Sequence, residues 1–234
     1  MAESGAQRVF QFTYPSQARL DNFVVCPGNI AAWSAIKDLT RGQGPGSVYV
    51  FGAAGVGKTH LLVGLARCLG EKARYIDLSG PRPDPLDPPT VRQVLALDHA
   101  DVLRAGTDLY LRVWEAFNRQ LYAGQRVVAA GRTTPELLPG LDAHLSSRFN
   151  SGLLIPVRPA DDGSREQILL RWTRERSLPL GAKVIHYILR RAPRNVTELQ
   201  RLLTRLDETA LAEGRKVSVQ LAKRILEAPG SGLP

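Results

Sequence analysis

Apolar residues follow two patterns along this chain, and the change from one to the other divides it. In the first two thirds, short apolar runs alternate with stretches where apolar residues recur every three or four positions. The runs are Val48–Phe51, Ala73–Leu78, Val94–Leu97, Arg126–Gly131 and Leu153–Val157. Runs this short, bounded by turn formers, read as strands buried on both faces of a parallel sheet. The recurring stretches predict helices over about 30–39, after Leu61, and over 107–123. In the last of these Leu109, Val113, Phe117 and Leu121 recur every four, Thr107 can cap the start and Gly124 follows the end. Residues 137–149 read as turns and then a short helix. Alternating strands and helices imply a three-layer parallel α/β sheet.

From about Pro159 only the helical pattern remains. Ser164 with Gln167 predicts a capping box for a helix to about Arg176. Ala182–Arg191 carries Val184, Ile185, Ile188 and Leu189 on one face. Asn195 with Glu198 caps a third helix bearing Val196, Leu199, Leu203 and Leu206, and Ser218 starts a fourth. Pro81–Pro89 holds five prolines in nine residues, which excludes helix and sheet interior and makes a stiff connector. The expected organisation is therefore a leading segment over 1–19, an α/β domain over 20–158, an all-helical lid over 159–228 and a tail over 229–234.

The first strand leads into Gly52-Ala53-Ala54-Gly55-Val56-Gly57-Lys58-Thr59, a complete G-x-x-x-x-G-K-[ST] loop between a strand and a helix. In that setting the glycines let backbone N–H groups close around phosphate oxygens, and the helix N-terminus adds partial positive charge. Lys58 would reach the outer phosphates and the Thr59 hydroxyl would hold Mg²⁺. The third strand ends in Asp98, a carboxylate placed either to order the water shell of Mg²⁺ or simply to start the next turn. The loop predicts binding of a nucleoside di- or triphosphate, ATP or ADP.

Charge adds one further lead. The net charge is +9 over 234 residues. Most of the excess lies between Arg158 and Glu227, with 15 Lys and Arg against 9 Asp and Glu, compared with 16 against 13 elsewhere. A basic face suits nucleic acid or an acidic partner, and an arginine-rich solvated surface accounts for it equally. No apolar run approaches the roughly 18 residues of a membrane span. The start of the chain has no secretory pattern, so a cytoplasmic location is expected. Cys26 and Cys68 have no metal-type spacing and read as small apolar fillers in a reduced compartment. Near the start, Gln11, Phe12, Tyr14 and Pro15 form an aromatic island in a polar neighbourhood. It reads either as a strand docking on its own domain or as a peptide entering a partner's groove.

These residues resemble the AAA+ family of P-loop ATPases, and within it the branch of the replication initiator DnaA and its shorter regulatory relative Hda. The resemblance rests on Leu20–Asn29, on Phe51–Leu62 with its phosphate loop, on Leu145–Phe149 and on Asn195–Leu199, and it runs from about Arg19 to Glu227. It implies nucleotide contacts from Gly52 through His60. By the same resemblance, Arg148 matches an arginine finger that completes a neighbour's site, although a structural, salt-bridged arginine is the alternative. Gln11–Pro15 is similar in layout to a sliding-clamp-binding peptide with both leucines replaced by aromatics.

Some family features are missing. No DNA-binding domain is expected after the lid, and the proline connector stands where the initiator has a helix pair. The resemblance therefore implies a regulator that binds the clamp and acts on DnaA-bound ATP. It also leaves room for a homodimer, weak DNA contact and no membrane association. Three further positions depart from the family. His99 follows Asp98 where a second acidic or polar residue is usual, and is read as solvent-facing. Arg132 stands at the polar position after the fourth strand. Thr197 replaces the lid arginine that touches nucleotide, leaving Arg194, three residues earlier, as a substitute. These departures predict retained binding and weakened hydrolysis in cis. An autonomous ATPase serving as helicase loader or replisome adaptor, and a DNA-binding accessory factor, are the competing readings.

Overall fold

The computed structural model describes residues 18–80 and 92–227. Gln11, Phe12, Tyr14 and Pro15, the proline connector and the tail after Glu227 lie outside the described residues.

Five strands form one parallel sheet. They are Ser47–Phe51 (β1), Ala73–Asp77 (β2), Val94–Asp98 (β3), Arg126–Gly131 (β4) and Leu153–Pro156 (β5). Their order across the sheet is β2-β3-β4-β1-β5, with Phe51 level with Gly131 and Asp77 level with Asp98. Along β1, β3 and β4 successive side chains go to opposite faces, as the pleat requires. Val48, Val50, Val94, Ala96, Val128 and Ala130 pack on one side. Tyr49, Leu95, Leu97, Val127 and Ala129 pack on the other. Both sets are buried, so the strands read as continuous apolar runs and not as alternating ones.

Helices Ile30–Thr40 (α1) and Lys58–Leu69 (α2) cover the first face. Asp108–Tyr122 (α3) and Ala143–Asn150 (α4) cover the second. Thr107 caps α3 through a bond from the Tyr110 N–H to its hydroxyl (3.3 Å), and Val113 and Phe117 are fully buried. The lid is four helices, Asp162–Glu175 (α5), Ala182–Arg191 (α6), Val196–Ala212 (α7) and Val219–Glu227 (α8), around a leucine-rich core of their own.

The capping box expected at Ser164 is displaced. Asp161 caps α5 instead, accepting from the Ser164 N–H at 2.7 Å, so the cap lies three residues earlier than Ser164 and that serine is buried. Asp is at least as good an N-cap as Ser, and the Asp-Asp-Gly turn supplies the earlier start. Cys26 is buried as expected, but Cys68 is exposed and fills no core.

Candidate functional site

The C-terminal ends of β2, β3, β4 and β1 lie side by side. That is the edge at which open parallel sheets bind ligands, and each strand end contributes there. Asp77 ends β2, Asp98 ends β3, Arg132 follows β4, and the Gly52–Gly57 loop follows β1. Above them the lid closes a cleft of about 620 Å³.

The floor is the phosphate loop. Gly55 and Gly57 hold φ of +77° and +102°, values costly for any other residue. A side chain at Gly52 would place its Cβ 2.1 Å from the Val157 carbonyl oxygen. Ala54, Gly55, Gly57, Lys58, Thr59 and His60 line the cleft. Lys58 Nζ donates to the carbonyls of Gly52 (2.6 Å) and Ala53 (2.9 Å). Burial pulls the Lys58 ammonium below the ordinary lysine value, against the opposing pull of Asp98 and Asp101. A half-buried cation whose partners are neutral carbonyls is well placed to take up an anion.

Asp98 is almost wholly buried at the cleft wall. Its Oδ2 accepts from the Tyr75 hydroxyl at 3.0 Å and its Oδ1 from the His99 N–H at 2.9 Å. Thr59 faces the same space. Together they form an oxygen donor set suited to a hard cation held through water.

His99 keeps 38% of its side chain exposed, yet it is held by a partner. Its Nδ1 lies 2.9 Å from Asp77 Oδ1, its backbone is left-handed at φ 58°, and it lines the cleft. Burial disfavours the Asp77 carboxylate, but hydrogen bonds from Ser79 and His99 outweigh it and hold the pKa below the usual value. Arg132 also lines the cleft, paired with Asp101 at 3.4 Å.

His60 has a different task from the loop residues beside it. Its Nε2 is 2.9 Å from both the Arg19 carbonyl and Asn22 Oδ1, and Phe23 meets its ring edge-on. Arg67 donates to the Ala18 carbonyl at 2.9 Å. These bonds strap the leading segment along α2. They leave a small apolar recess beside the cleft, lined by Phe23, Val24, Val56, Ile168 and Trp172. Burial lowers the His60 pKa and so favours the neutral ring, with the Arg19 carbonyl acting in the opposite direction.

The lid contributes Trp172, Arg176, Thr197 and Gln200 to the cleft. Asn195 joins lid to floor. Its Oδ1 caps α7 through the N–H of Thr197 (2.8 Å), and its Nδ2 reaches the Ala54 carbonyl at 3.4 Å. Arg194 is not brought to the cleft: its Nη2 pairs with Asp162 at 3.1 Å. Arg148 is also outside it. Its guanidinium stacks over the Trp114 ring, 5.6 Å from the centroid, with His144 edge-on to the same ring.

Charged residues that escaped the sequence reading include Asp77, which anchors His99 beside the cleft, and Asp101 and Arg176, which line it. Asp77 had a signal, since β2 ends in an aspartate as β3 does. Asp101 lies one helical turn beyond Asp98 and could have been found by spacing. Arg176 had none, being one arginine among several at the end of an amphipathic helix.

Comparison with known proteins places this geometry. A family profile described as "Hda, lid domain" matches residues 162–226. The chromosomal replication initiator protein DnaA of Thermomicrobium roseum is 27% identical over 227 residues, covering 88% of this chain and 48% of that protein. DnaA of Bordetella petrii is 25% identical with the same coverage. The chain thus spans about half the length of the curated relatives it matches. Among solved structures, domain III of Thermotoga maritima DnaA aligns with TM-score 0.79 at 22% identity, covering 90% of this chain and 95% of that one. AMPPCP-bound DnaA from Aquifex aeolicus aligns with TM-score 0.71 at 24% identity, covering 87% and 69%. The Thermotoga maritima RuvB Holliday junction branch migration motor shares the fold more distantly, with TM-score 0.65 at 19% identity over 93% and 74%.

Proposed function

This chain belongs to the DnaA/Hda family of AAA+ proteins, and from that premise we propose that it is a nucleotide-binding regulator of replication initiation. In this reading ATP or ADP occupies the cleft, with its phosphates on the Gly52–Thr59 loop and Lys58. Thr59, and Asp98 through water, would hold Mg²⁺, which would supply positive charge against the phosphates. The chain then packs against a nucleotide-bound DnaA and presents Arg148 to the partner's ATP. Gln11, Phe12, Tyr14 and Pro15 tether the complex to the sliding clamp.

The observation that carries this reading is the position of Arg148. It lies outside its own cleft, at the end of α4, with its planar face supported by Trp114. A guanidinium held there has no role on the chain's own nucleotide. It is half-exposed and pre-ordered, which suits an arginine that stabilises charge on a phosphoryl group bound by a neighbour.

The test is hydrolysis of ATP preloaded on DnaA of the same organism, with sliding clamp on DNA. The expected result is stimulation by the wild-type chain and loss of that stimulation in Arg148→Ala. Absence of stimulation by the wild type overturns the regulator reading.

A second reading has one specific feature in its favour. His99, anchored by Asp77 beside Asp98, places a hydrogen-bonding ring where the family has a second polar residue. That favours an autonomous ATPase serving as helicase loader or replisome adaptor. Robust hydrolysis by the isolated chain, lost in Lys58→Ala, selects this reading.

A further inference from the structure

The arginines around the cleft differ in what they already hold. In the lid, Arg165 and Arg194 pair with Asp162, Arg171 with Glu175, Arg201 with Glu198 and Arg224 with Glu213. On the floor, Arg132 pairs with Asp101. Arg176 is different. Among the described residues it alone is an arginine that both lines the cleft and has no carboxylate partner.

Its one recorded bond goes to a neutral group, the Thr204 hydroxyl on α7, at 2.8 Å from Nη1. That bond occupies a single N–H of five and aims the rest. The backbone is fixed as well. Arg176 is the C-cap of α5, and the chain turns away behind it. The Ser177 N–H bonds the Arg174 carbonyl (3.1 Å) and the Leu178 N–H bonds the Thr173 carbonyl (2.8 Å). Ser177 accordingly sits in the left-handed region at φ 52°. A serine kept there, where glycine is the ordinary choice, shows how firmly the turn is set.

We propose that Arg176 is the lid's phosphate-binding residue: its guanidinium takes up the polyphosphate chain of a nucleoside di- or triphosphate seated on the Gly52–Thr59 loop. The proposal rests on the nucleotide reading of the cleft. The position that carries a lid arginine in the family is Thr197 here, which lines the cleft but brings no charge. Arg194 is committed to Asp162. Arg176 supplies the missing positive charge from a different helix, and its link to Thr204 passes the grip on to α7. Lid closure is thereby coupled to phosphate occupancy.

The experiment measures affinities of the full chain for ATP, ADP and adenosine, using displacement of a fluorescent ADP. It compares wild type, Arg176→Gln, Arg176→Lys and Lys58→Ala. Arg176→Gln should weaken ATP and ADP by about tenfold or more, the size expected for a charge-assisted hydrogen bond. Adenosine, which has no phosphate, should bind wild type and variant equally well. Arg176→Lys should restore part of the loss, because it returns the charge without the planar fork. Thr204→Val keeps the guanidinium and removes the group that aims it, so a smaller loss of about threefold is expected. An equal loss for all three ligands marks a merely structural arginine and overturns the proposal. So does undiminished ATP and ADP binding in Arg176→Gln. If Lys58→Ala binds ATP as well as the wild type does, the nucleotide reading itself fails and this proposal falls with it.

Discussion

The floor and the roof of the cleft hold their polar groups in place by different means. On the floor, backbone geometry does the placing. Gly55 and Gly57 set the loop, and the register of four parallel strands brings Asp77, Asp98 and Arg132 to one edge. The roof is four helices around their own small core, and particular side chains fix how it sits. Arg165 ties α5 to the end of α6, and Asn195 ties α7 to the phosphate loop. A floor built this way tolerates almost no change at a few glycines and much change elsewhere. A roof built this way is vulnerable at its polar ties.

The largest effect is expected at Gly52. An added Cβ meets the backbone oxygen of Val157 at 2.1 Å, and that oxygen belongs to the chain leaving β5. Neither side can yield without breaking the β1–β5 pairing, so Gly52→Ala should cost about 4 kcal/mol or more of stability. Denaturant unfolding would measure it, and a loss below about 1 kcal/mol would show that the loop is softer than this comparison holds.

Arg165 is the matching test of the roof. It is only 1% exposed. Its Nη2 donates to the carbonyls of Ala192 (3.2 Å) and Pro193 (3.0 Å), and its Nη1 pairs with Asp162 at 3.1 Å. Arg165→Met keeps the apolar stem but orphans those carbonyls at the end of α6. The expected loss is about 3 kcal/mol. It should appear as faster amide exchange across 162–191, while β1, β3 and β4 keep their protection. Uniform loss of protection would mean that the lid and the sheet unfold as one unit.

Asn195 tests the joint between the two. Replacing it with Ala removes the α7 cap, worth about 1 kcal/mol, together with the contact to the Ala54 carbonyl. The cap loss should raise exchange in the first turn of α7. The lost tie should also speed nucleotide release, which stopped-flow displacement would measure. Faster exchange with unchanged release would show that the lid grips nucleotide without Asn195.

The same contrast explains what could be read in advance. The five strands and the phosphate loop were legible because period, spacing and glycine placement are local properties, and local backbone geometry builds the floor. Asp98 was found for that reason, and Asp77 was within reach. The alternation of β1, β3 and β4 between two buried faces was not visible, because both faces are apolar and the pattern collapses into a continuous run. Arg165 was unreadable. A charged residue on an amphipathic helix reads as solvated, and only the arrival of the α6 carbonyls makes its burial tolerable. Arg176 and Arg194 exchanged roles for the same reason. Sequence placed Arg194 near the family's motif, whereas the orientation of the α6–α7 turn gives it to Asp162. Ser164 misled by propensity, since Asp161 offered an equally good cap one turn earlier.

The smallest effect sharpens the comparison from the other direction, because it should stabilise. Ser177 is the residue after the C-cap of α5 and holds φ 52°. The phosphate loop on the floor places glycine at its left-handed positions, Gly55 and Gly57. The roof has glycine at Gly214 but a serine at Ser177. Left-handed backbone costs a residue with a Cβ about 1 kcal/mol relative to glycine. Glycine in turn loses more chain entropy on folding, which offsets part of that gain. Ser177→Gly should therefore stabilise the lid by about 0.5 kcal/mol, read as slower exchange in the last turn of α5. If Arg176 needs a rigid turn beneath it, the variant should also weaken ATP binding slightly despite the gain in stability. Stability and affinity moving in opposite directions at one residue would separate the turn's role in holding the helix from its role in aiming the guanidinium. If both rise together, the strain at Ser177 serves neither the fold nor the grip on phosphate.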